Sequence, residues 1–312
     1  MKIAFTGTPR FGALVLDSLI RSRHEIVVVF TQPDRPAGRG LGPRRSPVKE
    51  LALARGLRVE QPGSISSPET IALLGGLGAE ALTIAAFGQI LKQPLLDAIL
   101  CINVHGSLLP GYRGAAPVER AIMNGEHETG VSIMKVLLAL DSGEVYRRQS
   151  VPIEDGDDAG AVYESLARAG GEALVATLDD LAAGRLSGEP QDESLVTYAE
   201  KITPADRRIV WSRPAREIFN QVRALSPQIG AYTAVGEMSL KIWRVGVVSP
   251  DVEGSQSEGP GDVVISGQRL FVQCGDGFLG LLEVQPQGKR RMSGAEFLQG
   301  YRRQVEAVHR FH

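Results

Sequence analysis

KIAFTGTPRFGALVLDSLIRSRHEIVVVFTQ, residues 2–32, is the stretch on which the reading of the fold turns. Its ends, KIAFTG and EIVVVFTQ, are continuous apolar runs of strand length, the pattern of strands buried on both faces. Between them FGALVLDSLIRS sets Leu14, Leu16, Leu19 and Ile20 at roughly helical spacing. Strand, helix and strand joined in this way predict parallel neighbours with a right-handed crossover. ALTIAAFG and CINVHGS repeat the apolar run further along, so an N-terminal α/β domain with a doubly wound, mostly parallel sheet is expected. TGVSIMKVLLALDSGEVYRRQSVPI adds a strand, a turn and another strand, and DAGAVYESLARAGGEALVATLDDLAAG a long helix ending at Gly184.

Beyond Gly184 the pattern fades into RLSGEPQDESLVTYAEKIT, which reads as a linker or a strap over the surface. A helix, RPAREIFNQVRALS, follows, with Pro214 early where a missing N–H costs little. Five short runs, GAYTAV, LKIWRVGVV, GDVVISG, RLFVQCG and GFLGLLEVQP, are separated by Gly-rich turns and predict a small antiparallel β-barrel of OB-like size. GAEFLQGYRRQVEAV closes the pattern as a helix, and SPDVEGSQSEGPG reads as an exposed loop. The expected domains are residues 1–184 and 204–312, with 185–203 between them.

A chain of 312 residues with 43% apolar and 22% charged residues is globular and long enough for two cores. No apolar run approaches the roughly 18 residues of a membrane helix. MKIAFTGTPRFG breaks into Gly and Pro too early for a secretory segment, so a cytoplasmic protein is expected, by default a monomer. Cys101 and Cys274 are far apart in apolar settings and read as buried thiols, with no metal or disulfide framework. The net charge of −2 divides unevenly: residues 1–196 carry 19 Lys and Arg against 24 Asp and Glu, residues 197–312 carry 15 against 12. Any nucleic-acid contact must therefore be local.

In a doubly wound sheet, ligands lie beyond the carboxyl ends of the strands. The turn after the first strand, GTPRFG, has neither the GxGxxG spacing nor a phosphate-loop Gly-Lys-Ser/Thr, which disfavours a nicotinamide or ATP site. At the end of CINVHGS, Asn103 and His105 alternate with Val104, which sets both side chains on one face about 7 Å apart. An amide donor beside an imidazole suits a developing oxyanion and a moving proton. Asp141, at a turn after an apolar stretch, is the candidate carboxylate to orient or charge the histidine. Asn and His before a turn also serve simply as caps, and the residues alone leave both readings open.

NVHGSLLPGYRGAAPVERAIMNGE, followed by TGVSIMKVLLALDSGEVY, resembles the N10-formyltetrahydrofolate-dependent formyltransferases. FTQPDRPAGRG, SPVKELA, RGAAP and TYAEKIT are similar to the methionyl-tRNA formyltransferases among them, and the likeness continues through DGFLGLLEVQPQGKRRMSGAEFLQGYR. The resemblance implies a Rossmann-like formyltransferase fold and a catalytic set of Asn103, His105 and Asp141. It implies 10-formyltetrahydrofolate as cosubstrate, initiator methionyl-tRNA as partner, and no metal. His105 as an imidazolium and Asn103 would stabilise the tetrahedral oxyanion, while Asp141 would relay a proton through a water.

The resemblance further places folate against Phe87, Gly88, Gln89, Ile90 and Leu91, against Ser107, Leu108, Leu109 and Pro110, and against Leu137, Ala139 and Leu140. It assigns the basic loop QPDRPAGRGLGPRRSPVK, with Arg35, Arg39, Arg44, Arg45 and Lys49, to the acceptor stem of tRNA, Arg39 foremost. Lys201, Lys241, Lys289, Arg290 and Arg291 are the expected phosphate contacts of the second half. The chain departs from the family's wording at Arg10, at Ala139 and in LSPQIGAYT, none of which touches the proposed catalytic three. Two other readings fit less well. A formyltransferase for a small amine needs neither the basic loop nor a second domain, and a non-catalytic RNA-binding protein does not need the full Asn, His and Asp set.

Overall fold

The apolar runs become the centre of a sheet. In the computed structural model, which describes residues 1–36, 43–248 and 258–312, the chain begins with β1 (Lys2–Gly7), α1 (Arg10–Ile20), β2 (Glu25–Phe30), β3 (Arg35–Pro36) and β4 (Pro43–Arg44). It continues through α2 (Pro47–Ala54), β5 (Val59–Glu60), α3 (Pro68–Gly76), β6 (Ala81–Ala85), α4 (Gln93–Ala98), β7 (Leu100–His105) and β8 (Arg113–Gly114). Then come α5 (Pro117–Met123), β9 (Glu128–Lys135), β10 (Val145–Pro152) and α6 (Ala159–Ala182). Seven strands form one sheet in the order β10-β9-β7-β6-β1-β2-β5. The run from β7 to β5 is parallel, and β9 and β10 extend it antiparallel at one edge. The expected doubly wound, mostly parallel sheet is present, with β5 as a strand the apolar pattern did not mark.

Continuous apolar wording corresponds to burial on both faces: Ile3, Ala4 and Phe5 of β1 are fully buried, as are Val28 and Val29 of β2. Ala4, Val28, Phe30, Leu82 and Ile84 pack with Ile65, Leu74 and Leu95 in one core cluster. Each such aliphatic side chain removed from water contributes about 1.5–3 kcal/mol. α1 turns Phe11, Val15, Leu16 and Leu19 inward, a helical stripe, while Leu14 and Ile20 are half-buried at its flanks.

The chain divides into two compact units, one of Met1–Pro117, Glu128–Pro152 and Tyr163–Ala199, the other of Val118–His127, Ile153–Val162 and Glu200–His312. The first unit thus includes most of the polar strap after α6. There β11 (Tyr198–Ala199) pairs in parallel with β8, and Glu189 bridges to Val145.

The second unit holds α7 (Pro204–Arg207), α8 (Ala215–Ala224), β12 (Ala231–Val235), β13 (Met238–Val248) and β14 (Val263–Ser266). β15 (Arg269–Gln273), β16 (Phe278–Pro286), β17 (Met292–Ser293) and α9 (Gly294–Val308) complete it. The five expected runs pair antiparallel in the order β12-β13-β16-β15-β14, with β17 added on β16. Backbone bonds of the final residues span both edges: His312 exchanges two with Ala234 (2.7 and 3.0 Å), Phe311 N donates to Gly261 O (2.8 Å) and His309 O accepts from Val263 N (2.9 Å). The tail thereby joins the β12 and β14 sides of the sheet. Inside lie Leu240, Ile242, Leu279, Leu281 and Val284 from the strands, Ile218 and Val222 from α8, and Phe297 from α9.

Candidate active site

β7 carries Asn103 opposite Ile84 of β6 and Met134 of β9, and His105 opposite Ser132 of β9. The alternation about Val104 therefore holds: both side chains leave one face of the sheet at its carboxyl end. His105 is 6% exposed. Its Nε2 donates to Tyr112 O at 3.0 Å, which fixes the ring, and its Nδ1 lies 3.7 Å from Asp141 Oδ2. At 3.7 Å the carboxylate sits beyond hydrogen-bond range of Nδ1, which stays available to an oxygen placed beside it. Asn103 is half-buried, and its carboxamide has no hydrogen-bond partner among the described residues.

Asp141 lies in the turn between β9 and β10, thirty-eight positions along the chain from Asn103, and the fold brings it to His105. Its Oδ2 accepts from Gly114 N at 2.9 Å. Its Oδ1 has no partner among the described residues. The backbone here is unusual, with φ +47° at Asp141 and +58° at Tyr112, the residue whose carbonyl holds His105. His105 and Asp141 thus meet within the first unit, with Asn103 two positions before His105 on the same face of β7.

The segments expected to hold folate separate into two kinds. Ser107 to Pro110 brace the turn after β7: Ser107 Oγ donates to Gly111 O (2.6 Å), Leu109 N donates to Ser132 Oγ (2.9 Å), and Arg148 Nε donates to Leu109 O (2.8 Å). Leu109 is buried, and Leu108 and Pro110 are half-buried. Phe87 is buried and its carbonyl accepts from Thr8 Oγ1 (3.3 Å) and Gln32 Nε2 (3.1 Å). Gln89 is also spent inside the chain, accepting from Ile65 N (2.7 Å) and donating to Pro62 O (3.2 Å). Gly88 is exposed with φ +83°, and Leu91 packs against the core.

The other kind is open apolar surface. Ile90 is 85% exposed, and in the loop after β9 Leu137, Leu138 and Leu140 are 45%, 62% and 59% exposed, with Ala139 exposed between them. That loop leaves the core at Val136, which packs in the cluster of Phe87 and Leu91. Large apolar side chains exposed side by side form the kind of surface on which ligands and partners dock. Among the described residues no cluster of His, Cys, Asp or Glu is placed to hold a metal ion.

The expected tRNA-facing cations are distributed as follows. Arg39 lies outside the described residues. Arg35 contributes backbone to the β3–β4 ribbon, where it pairs with Arg44. Arg44 and Arg45 are exposed. Lys49 is not free: its Nζ donates to Asp34 Oδ2 and Gln61 Oε1, both at 2.6 Å, and so buttresses the base of the loop. Lys201 and Lys289 are exposed, whereas Arg290 pairs with Glu296 at 3.0 Å.

Arg291 stacks over Trp243, its guanidinium carbon 3.4 Å from the ring centroid, and Lys241 approaches the same ring at 5.2 Å. Arg207, which the sequence reading did not select, lies over Tyr232 at 5.9 Å. Burial, then the charges of Arg207 and Arg291, push the Lys241 ammonium below its ordinary pKa. The Arg207-Arg208 doublet before apolar Ile209 was the available signal. Of the departures, Arg10 pairs with Glu164 at 2.8 Å on the surface.

The family described as formyl transferase matches residues 1–178, and its C-terminal domain matches residues 201–302. The chain is 44% identical over 303 residues to the methionyl-tRNA formyltransferase of Methylococcus capsulatus, covering 96% of this chain and 97% of that protein. It is 46% identical over 304 residues to the enzyme of the same name from Symbiobacterium thermophilum, covering 96% and 92%. HypX from Aquifex aeolicus, solved in complex with tetrahydrofolic acid, shares the fold at TM-score 0.67 and 17% identity. That likeness takes in 99% of this chain but 48% of HypX, so the chain spans about half its length. Matched in both parts and alike along nearly its whole length, the chain belongs to the methionyl-tRNA formyltransferase family.

Proposed function

We propose that this chain transfers the formyl group of 10-formyltetrahydrofolate to the α-amine of methionine carried on initiator tRNA, giving formylmethionyl-tRNA for translation initiation. The observation that carries the reading is the approach of Asp141 to His105 at the carboxyl end of β7, with Asn103 on the same strand face, in a chain of this family. The cosubstrate supplies an electrophilic formyl carbon. Everything else falls to side chains of the protein.

When the amine adds to that carbon, negative charge builds on the formyl oxygen. Asn103 offers a carboxamide N–H with no competing partner among the described residues, and His105 offers Nδ1–H from a ring held by Tyr112 O. Preorganised donors of this kind act without reorganisation at the moment of charge development. Asp141 keeps Oδ1 free to accept the proton released by the amine, directly or through a water, and to return it to N10 of the folate as the C–N10 bond breaks, the oxyanion collapses to the carbonyl of the new formamide and tetrahydrofolate leaves. The exposed Ile90, Leu137, Leu138 and Leu140 suit the flat pterin of the folate.

In this reading residues 1–184 carry the chemistry, 185–203 connect, and 204–312 hold tRNA. The protein acts in the cytoplasm as a monomer. Lys201, Lys241, Lys289, Arg291 and Arg207 meet phosphates in the second unit, and Arg44 and Arg45 do so beside the loop of Arg39. The test is to supply 10-formyltetrahydrofolate with charged initiator tRNA and, separately, with amino-sugar nucleotides. Formyl on the methionine is expected. Formyl on the small amine alone would overturn the acceptor, and tRNA binding without turnover would reduce the chain to an RNA-binding protein.

A further inference from the structure

Asp141 needs help to stay where it is. Its φ of +47° lies in the left-handed region, which a residue other than glycine keeps when its surroundings hold it. The holder comes from the strap after α6. Gln191 Nε2 donates to Asp141 O and to Gly143 O, both at 2.7 Å. On its far side the turn lies close against β9: a Cβ at Gly143 would stand 1.9 Å from Lys135 O.

Gln191 is itself fixed. Its Oε1 accepts from Arg113 Nε (3.1 Å) and Nη2 (2.9 Å), and Arg113, 3% exposed, is gripped on Nη1 and Nη2 by Glu193 at 3.2 and 2.8 Å. Arginine only donates and carbonyls only accept, so the chemistry of its four contacts sets which way the carboxamide faces. The same strap presses on the other holder of Asp141. Gly114, whose N–H binds Oδ2, has φ +127°, and a Cβ there would meet Ala199 O at 2.6 Å.

We infer that Gln191 is a positioning residue for formyl transfer: its two donated hydrogen bonds hold the Asp141 turn so that the carboxylate faces His105. The inference rests on the reading that Asp141 works with His105. Gln191 makes no hydrogen bond to the imidazole; its two donors act on the turn that carries Asp141. Without the two donors the turn relaxes toward ordinary backbone angles and the carboxylate swings away from Nδ1. A displacement on the order of 1 Å at a reacting group lowers rate by about a hundredfold.

The test uses the whole enzyme with 10-formyltetrahydrofolate and methionyl initiator tRNA, and compares Gln191→Met, Asp141→Asn and the double variant. Gln191→Met preserves length and removes every hydrogen bond. It is expected to lower kcat about 10–100-fold while KM for tRNA changes less than about threefold. In the Asp141→Asn background the same change is expected to cost less than about threefold, because its route of action is already gone. Gln191→Glu keeps the contact to Arg113 and loses both donors, so it carries the same comparison if Gln191→Met does not fold. Independent, multiplying losses would overturn the inference, as would a kcat unchanged by Gln191→Met where Asp141→Asn is impaired. Full activity of Asp141→Asn would instead remove the reading beneath it.

Discussion

His24 and Asp179 approach to 3.3 Å, Nε2 to Oδ1, while His105 and Asp141 stand 3.7 Å apart, Nδ1 to Oδ2. Both pairs lie in the first unit, and by distance the former is the better ion pair. Their surroundings say otherwise. His24 sits just before β2 with its side chain fully buried and neither ring nitrogen hydrogen-bonded. Asp179 is half-exposed and shared with Arg23 at 2.7 Å. His105 is steered by Tyr112 O, its carboxylate is held by Gly114 N, and an unpartnered carboxamide lies beside it on the same face. A polar pair becomes a site when its other atoms are held and one direction is left open; closeness alone makes only a buried defect or a brace.

The sharpest way to break this contrast is to remove each histidine. His105→Ala is expected to lower formyl-transfer turnover at least about a hundredfold with folding retained, the usual consequence of losing an oxyanion donor. His24→Leu, which exchanges a buried ring without hydrogen bonds among the described residues for an apolar side chain, is expected to leave turnover within about twofold. Steady-state formylation alongside thermal unfolding separates the two, and equal inactivation would erase the distinction. The carboxylates follow the same pattern with a smaller expected effect. Asp141→Asn keeps a group of the same shape yet removes the charge opposite His105, and a loss on the order of tenfold or more is expected; Asp179→Asn should cost no rate.

The first half of this contrast was legible in the sequence. Val104 between Asn103 and His105 gives one face, and continuous apolar runs mark β1, β2, β6 and β7 because strands covered on both sides have no polar alternation to show. The second unit was equally plain, its five runs and closing helix recurring as β12 to β16 and α9. What was hidden is long-range. Gln191 meets Asp141 across 50 positions of chain, and β11 finds β8 through backbone bonds to which any residue type contributes alike. Lys49 shows the same limit from the other side: composition reveals a charge, and only the fold reveals that Asp34 and Gln61 already hold it.

Committed and open groups should also differ in the basic run Lys289, Arg290 and Arg291. Arg290 is tied to Glu296, whereas Lys289 is exposed with no ion-pair partner among the described residues. If these cations meet tRNA phosphates, Lys289→Ala is expected to reduce the slope of log affinity against log salt by about 0.7–0.9, one phosphate contact. Arg290→Ala should reduce it less. Filter binding across a salt series measures both, and equal slopes would mean that the pairing with Glu296 yields freely to RNA.

The smallest effect belongs to His24 and is one of stability. Burial foremost, then the amino terminus, depress its pKa below the ordinary 6.5; the charge of Asp179 opposes them, and Arg23 adds to the depression. A histidine depressed in this way is neutral when folded and readily protonated when unfolded. The unfolded chain therefore binds more protons in the window from 6.5 down to the folded value, and stability falls as pH falls through that window. Above 6.5 the contribution is fully present. Thermal unfolding between pH 7.5 and 5.5 should show the midpoint declining by about 2–4 °C for each kcal/mol lost. His24→Leu should flatten that decline, since leucine takes up no proton. If the wild-type midpoint instead held steady or rose on acidification, Asp179 would be outweighing burial at His24, and the pair would be a brace rather than a buried defect.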